Sequence, residues 1–367
     1  MRVLMTTDTV GGVWTFTQEL ACGLLELGSS VALFSVGGLP NRNQSEWASK
    51  MERRWARDFR FECSDAPLEW MQENARAYAS AAPALMRLAE EFEAEVFHSN
   101  QYCFGALPLE IPKIVTAHSD VLSWSEACRP LPLEESAWLR AYRSLVERGL
   151  SGAAAVVAPT RWMLAAIEKN FPMPGKRCVI ANGSAVTCRS DRPRKLQAIT
   201  AARLWDEAKG VDVLREARSP VPMLLAGAAS GGNEPRAVEF GQAQLVGELS
   251  REDLLELFCE SSIYVCPSRY EPFGLAPLEA ALCGCAVAAR DIPSLREVWG
   301  EGAVYFEGTV ALERLLTELS GDAQALRQAQ ARSTERAQRF SRGAMASAYL
   351  AAFDELRARD KEVRCVA

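Results

Sequence analysis

The chain has 367 residues, of which 49% are hydrophobic and 24% charged, and its formal net charge is -6. That composition excludes a disordered or collagen-like chain and supplies enough apolar material for two buried cores. A duplex nucleic-acid binder would carry a basic footprint, and none exists at whole-chain scale. Residues 2–6 read as a short apolar strand, not a secretory signal, because Asp8 follows so soon. Gly11 and Gly12 punctuate a turn, and Val13, Phe16, Leu20, Leu24 and Leu27 then recur on one helical face, with Gly28 as its cap. Residues 31–36 form the next strand, so the start is a βαβ unit and a parallel sheet is expected.

Residues 39–60 are polar, with no clear strand, and helical material follows to about residue 92. Strands fit 96–98, 114–117 and 156–158, and helices fit 133–150 and 161–170. Residues 189–194, RSDRPR, read as a linker. The alternation then restarts, with strands at 198–202, 223–226, 244–246, 263–266, 286–289 and 304–306. Helices fit 211–217, 251–260, 277–282 and 294–298, and a last helix near 344–359 could pack on either half. Two such series predict an α/β protein with two Rossmann-like doubly wound domains facing across a cleft, spanning 1–190 and 191–367. Ligands in such sheets sit at the carboxyl ends of strands. No apolar run reaches the roughly 18–20 residues that span a bilayer. The eleven cysteines are odd in number and contain no CxxC pair, which reads as reduced thiols in a cytoplasm.

The most informative stretch is PSRYEPFGLAPLEAALCGCAVAA at 267–289. Pro272 and Gly274 put Glu271 on a loop. Pro277 suits a first helical position, which would put Glu279 in the first turn. Amides around Phe273, Gly274 and Leu275 then face whatever lies before the helix, where an anion is favoured. Carboxylate, amide row and second carboxylate suit a phosphorylated polyhydroxyl ligand. The plainer reading is a solvated Glu271 and a Glu279 that steadies its helix. In ITAARLWDEAKGVDVL, Arg203 follows a strand and Lys209 precedes a helix, so both sit on the ligand side. Together they could neutralise a diphosphate, or be ordinary surface cations.

Several chemistries lack their motifs. The dinucleotide fingerprint and the P-loop are absent, which disfavours a dehydrogenase and a P-loop NTPase. No HExxH, DxD or GxSxG occurs, so no metal site and no hydrolase elbow is indicated. His98 and His118 each follow a predicted strand, where polar recognition and strand-end packing are both open.

Together these pieces resemble the retaining nucleotide-sugar glycosyltransferases of family 4, which have the GT-B fold. Glu271 to Glu279 resembles the family's E-x7-E motif. ARLWDEAKG resembles its G-R-L-x-x-x-K-G stretch, with Ala202 where glycine is usual. DTVGGVW resembles its N-terminal glycine loop, and TAHSD its histidine strand tip. VIANGSAV resembles the segment ending the first domain, with departures at Ala181 and Ser184.

The resemblance implies that Glu279 holds the nucleotide ribose, Arg203 and Lys209 the donor diphosphate, and Glu271 the sugar hydroxyls. Amides at Phe273, Gly274 and Leu275 would approach sugar and phosphate, Gly11 and Gly12 would close on the donor, and His118 would contact the transferred sugar. The base would lie near Gly247 to Leu249. It implies a cytoplasmic, metal-independent hexosyltransferase with no cofactor, using a nucleotide-sugar donor, UDP-linked before GDP-mannose, and a glycan, glycolipid or small-molecule acceptor. The rivals are a GT-B epimerase or phosphorylase and a noncatalytic two-lobe sugar-binding protein.

Seven of the nine tryptophans, Trp14, Trp47, Trp55, Trp70, Trp124, Trp138 and Trp162, fall in the first half, where the acceptor would be chosen. Lys50, Arg53, Arg54, Arg57 and Arg60 crowd beside Trp47 and Trp55. Weak contact with an anionic membrane surface is one reading of that stretch. A solvated helix, interrupted by Glu46, Glu52 and Asp58, is the other.

Overall fold

A computed structural model describes residues 1–188, 192–230 and 241–366. The chain divides into two compact units, one of residues 1–125, 131–183 and 342–367, the other of residues 126–130 and 184–341.

The first unit is built from β1 (Arg2–Asp8), α1 (Gly12–Glu26), β2 (Ser30–Val36), α2 (Arg42–Arg54), β3 (Phe59–Cys63), α3 (Ala77–Glu91), β4 (Val96–Ser99) and β5 (Lys113–Thr116). α4 (Val121–Cys128), α5 (Ala137–Gly152), β6 (Ala155–Ala158), α6 (Arg161–Asn170) and β7 (Lys176–Val179) follow. Its sheet runs β3-β2-β1-β4-β5-β6-β7. Every neighbouring pair is parallel, Val3 lying opposite both Val31 and Val96. The strand order reverses between β1 and β4, which makes the carboxyl ends of those two strands the crevice side. Leu4, Phe34, Leu85, Leu88, Phe97 and Phe104 are buried in its core. Each such side chain is worth roughly 1.5–3 kcal/mol against exposure.

The polar stretch 39–60, expected to hold no clear strand and read as a solvated helix, contains α2 and the first two residues of β3. A reciprocal cap starts α2: Asn41 Oδ1 accepts from the Gln44 amide, and Gln44 Oε1 accepts from the Asn41 amide, both at 2.9 Å. Trp47 then packs edge-on against Trp14 and Phe59, so it serves the core. β3 is an edge strand and stays partly exposed, which is why its apolar signal is weak.

The second unit contains β8 (Lys195–Ala201), α7 (Asp212–Glu216), β9 (Met223–Ala226), β10 (Gln244–Gly247), α8 (Arg251–Glu260), β11 (Ser261–Cys266), α9 (Leu275–Leu282) and β12 (Ala286–Arg290). α10 (Pro293–Trp299), β13 (Ala303–Phe306), α11 (Gly308–Gly321) and α12 (Ala323–Ala337) complete it. Among the described residues the sheet order is β10-β9-β8-β11-β12-β13, all parallel, with its reversal between β8 and β11. Leu225, Val265, Leu312 and Leu316 sit in its core. The chain ends in α13 (Arg342–Val366), whose first residue donates from Nε to Glu19 Oε2 of α1 at 2.7 Å within the first unit. Of the linker RSDRPR, residues 189–191 lie outside the described residues.

Two expectations need correction. α9 begins at Leu275, not Pro277, because Gly274 at φ +88° starts the helix. Glu279 is therefore its fifth residue, in the second turn. Thiols are not reduced throughout: Cys188 and Cys259 form a disulfide, their Cα atoms 5.8 Å apart. No helix among the described residues is long and apolar enough to cross a membrane.

Candidate active site

The second unit gathers its chemistry where the strand order reverses. β8 ends at Ala201, and Arg203 follows two residues later. Asp206 organises the next turn with both carboxylate oxygens. Oδ1 accepts from the Ala208 amide at 3.0 Å, and Oδ2 accepts from Arg203 Nη2 at 2.6 Å. That cap starts the short 3-10 turn Glu207–Lys209. Gly210 then takes φ +57°, and a Cβ there would lie 2.2 Å from the Pro267 carbonyl oxygen. Only glycine lets this loop lie so close to the chain leaving β11. The Arg269 amide donates to the Ala208 carbonyl at 2.8 Å and joins the two loops.

The joined loops put Lys209 Nζ 2.8 Å from Glu271 Oε2, which also accepts from Ser268 Oγ at 3.1 Å. Desolvation works against the Lys209 ammonium, but the Glu271 carboxylate more than offsets it, and the Lys209 pKa is raised. Burial likewise works against ionised Asp206, yet the Arg203 guanidinium holds its pKa below the ordinary value. Lys209 and Asp206 are therefore both charged at neutral pH. Trp205 lies under the Arg203 guanidinium, 5.4 Å from it, and is 42% exposed.

Beyond Glu271, the Phe273 ring packs edge-on against Phe340 at 5.3 Å, so only its backbone is offered to a ligand. Gly274 and Leu275 open α9, whose first amides lack carbonyl partners within the helix. Glu279 is 5% exposed, and its Oε1 accepts from Arg251 Nη2 at 2.6 Å. Leu249, half-buried, lies between β10 and the Ser250 cap of α8. Arg203, Lys209 and Glu271 are thus one cluster, with Glu279 eight residues along the same loop and helix.

In the first unit, Gly11 and Gly12 are exposed at the start of α1, and a Cβ on Gly12 would meet nothing within 4 Å. His118 lies two residues past β5. Its Nε2 is 2.8 Å from Asn100 Oδ1, and its ring sits edge-on to Phe16 at 4.5 Å. Asn100 Nδ2 donates to the Thr6 carbonyl at 2.6 Å. That bond makes Asn100 Oδ1 the acceptor and His118 Nε2 the donor. Desolvation lowers the His118 pKa to about 3, so the ring is neutral. His98 is a core residue. Its Nε2 is 2.7 Å from Thr116 Oγ1, and Thr116 in turn contacts the Tyr349 hydroxyl at 3.0 Å. Among the described residues no group of three or more His, Cys, Asp or Glu side chains could hold a metal ion.

Sequence reasoning missed four supporting residues: Asn100, Asp206, Arg251 and Ser268. Asp206 reads in the sequence as an ordinary polar loop residue. Arg251 left no local trace, because its partner is 28 positions away.

Two family models match the chain, "Glycosyltransferase Family 4" over residues 10–187 and "Glycosyl transferases group 1" over residues 233–338. The alpha-maltose-1-phosphate synthase of Mycobacterium tuberculosis is 27% identical over 247 residues, covering 57% of this chain and 62% of that protein. Sucrose-phosphate synthase from Thermosynechococcus elongatus superposes with a TM-score of 0.76 at 17% identity, over 98% of this chain and 100% of that one. Anabaena Alr3699/HepE, solved in complex with UDP-glucose, gives 0.71 at 16% identity, over 97% and 100%. The first half of the chain thus matches the family 4 glycosyltransferase model and the second half the group 1 glycosyltransferase model, on the GT-B fold that it shares with its solved neighbours.

Proposed function

We propose that this enzyme transfers a hexose from a nucleoside diphosphate sugar to a hydroxyl of a carbohydrate, glycolipid or small-molecule acceptor, with retention at the anomeric carbon and without a metal. A uridine diphosphate donor is favoured and GDP-mannose is second. The observation that carries this reading is the Arg203, Lys209 and Glu271 cluster at the reversal of the second sheet, where α/β proteins bind nucleotides. The neighbour solved with UDP-glucose supports the uridine donor.

The charges suggest how the reaction runs. When the sugar–phosphate bond breaks, negative charge grows on the β-phosphate. Arg203 and Lys209, both already ordered by carboxylates, meet that charge with little reorganisation. The sugar becomes oxocarbenium-like, as in glycoside chemistry. Glu271 accepts sugar hydroxyls and Glu279 the ribose hydroxyls. Amides at Phe273, Gly274 and Leu275 approach the phosphate and sugar, and Leu249 lies on the base side. In the first unit, Gly11 and Gly12 offer exposed backbone to the donor. Neutral His118, its Nε2–H committed to Asn100, keeps Nδ1 as an acceptor for the sugar. The acceptor hydroxyl attacks from the face the leaving group departs. Weak docking on an anionic membrane surface through α2 and a cytoplasmic location belong to the same proposal.

Incubation with UDP- and GDP-linked hexoses in EDTA, with released nucleoside diphosphate measured and the product anomer assigned by NMR, tests it. An α-linked product from an α-linked donor is expected. Inversion, a strict need for a divalent cation, or epimerised donor without transfer would each refute part of the reading. Sugar binding without turnover would refute all of it.

A further inference from the structure

The carboxylate given to the ribose carries an internal cation. Arg251 Nη2 donates to Glu279 Oε1 at 2.6 Å, with the Glu279 side chain 7% and the Arg251 side chain 32% exposed. Arg251 is the first residue of α8, two positions after Leu249. Its head is not needed to begin that helix, because Ser250 Oγ already accepts from the Asp253 amide at 3.1 Å. The guanidinium instead reaches α9.

A nearly buried carboxylate is costly unless it is paired, and glutamate has several rotamers to lose. The Arg251 bond addresses both by pairing the carboxylate with a cation and fixing its orientation. An ionised carboxylate has about four acceptor positions, so pairing with Arg251 is compatible with accepting hydroxyls as well. A protonated or swung-away carboxyl would accept vicinal hydroxyls poorly. We propose that Arg251 is the positioning residue for Glu279, so that α8 sets how strictly the enzyme requires a ribose over a deoxyribose. This rests on the reading of Glu279 as the ribose-binding carboxylate.

Calorimetric titration of UDP and 2′-deoxy-UDP into wild type, Glu279→Gln and Arg251→Gln separates the two ideas. Wild type should prefer UDP by about tenfold or more, the value of one hydrogen bond to a charged group. Both variants should shrink that preference to about threefold or less. Arg251→Met keeps the aliphatic stem, carries the same expectation, and stands in if the glutamine variant does not fold. A purely structural arginine would weaken both nucleotides equally and leave the ratio intact. An intact ratio in the Arg251 variants, with the ratio lost in Glu279→Gln, overturns the role of Arg251 and leaves Glu279 in place. No preference in wild type, or no binding of UDP, overturns both.

Discussion

Lys209 Nζ and Glu271 Oε2 lie 2.8 Å apart, joining the loops that follow β8 and β11. The cation proposed to bind a diphosphate is therefore already shared with the carboxylate proposed to bind a sugar. Neutralising the carboxylate should separate binding from turnover. In Glu271→Gln the ammonium loses its anion, and UDP should bind about three- to tenfold more tightly, a gain of about 1 kcal/mol. Donor turnover should instead fall about tenfold or more, as a charged hydrogen bond to the sugar is lost. Titration calorimetry and nucleotide-release kinetics on the same variant check this, and a parallel fall in both would count against it.

Asp206 serves two neighbours, and its variants should divide those duties. Asp206→Asn keeps an oxygen for the Ala208 amide but removes the anion facing Arg203. The Arg203 head is 39% exposed and so loses its anchor to solvent, where the more buried Lys209 would stay in place, and the variant should raise the donor KM several-fold with little loss of melting temperature. Asp206→Ala also loses the cap and should cost about 1 kcal/mol of stability. Equal melting losses in the two variants would show that the ion pair is mainly structural.

Glu69 makes a pH prediction in the first unit. It is 4% exposed, accepts from the Tyr102 amide at 2.8 Å, and burial pushes its pKa up to about 7. Between about pH 4.5 and 7 the folded chain holds a proton that the unfolded chain releases, so stability falls as pH rises through that window. The full effect is about 3 kcal/mol. Glu69→Gln retains an acceptor for Tyr102 without the charge, so it should melt above wild type at pH 8 and near it at pH 4.5. Melting curves that run parallel across this range would contradict the assignment.

His118 has its pKa lowered to about 3 by desolvation, so it stays neutral throughout pH 5–8. The unfolded chain takes up its proton below about pH 6.5, so this residue costs stability as pH falls, not activity near neutrality. The profile of kcat/KM should show no histidine limb between pH 5 and 8. A limb near pH 6.5 that disappears in His118→Gln would contradict this.

Much of the fold was legible because buried parallel strands are short, dense apolar runs. β9 and α8 fall at the expected residues, and β4, β9 and β11 are buried along their whole length. Edges were harder. β7 alternates between half-buried and exposed residues, and β3 is mostly half-buried, so neither shows a clean apolar run. α2 is polar along most of its length, with Ala48 and Met51 its buried apolar residues, and starts at the Asn41–Gln44 cap. At the candidate site, residue type and spacing singled out Arg203, Lys209, Glu271 and Glu279. The partners that orient them were not legible, because Asp206 looks like any polar loop residue and Arg251 meets Glu279 only through tertiary packing.

The central claim is that Arg203 and Lys209 bind a nucleoside diphosphate at the reversal of the second sheet. Each alanine variant alone should lose about 10²–10³ in turnover while staying folded. The most direct measurement is the equilibrium affinity for UDP of wild type and of the double variant Arg203→Ala/Lys209→Ala. The account predicts a loss of about a hundredfold or more, from two charged hydrogen-bond donors removed together. An unchanged affinity in a folded double variant would contradict it.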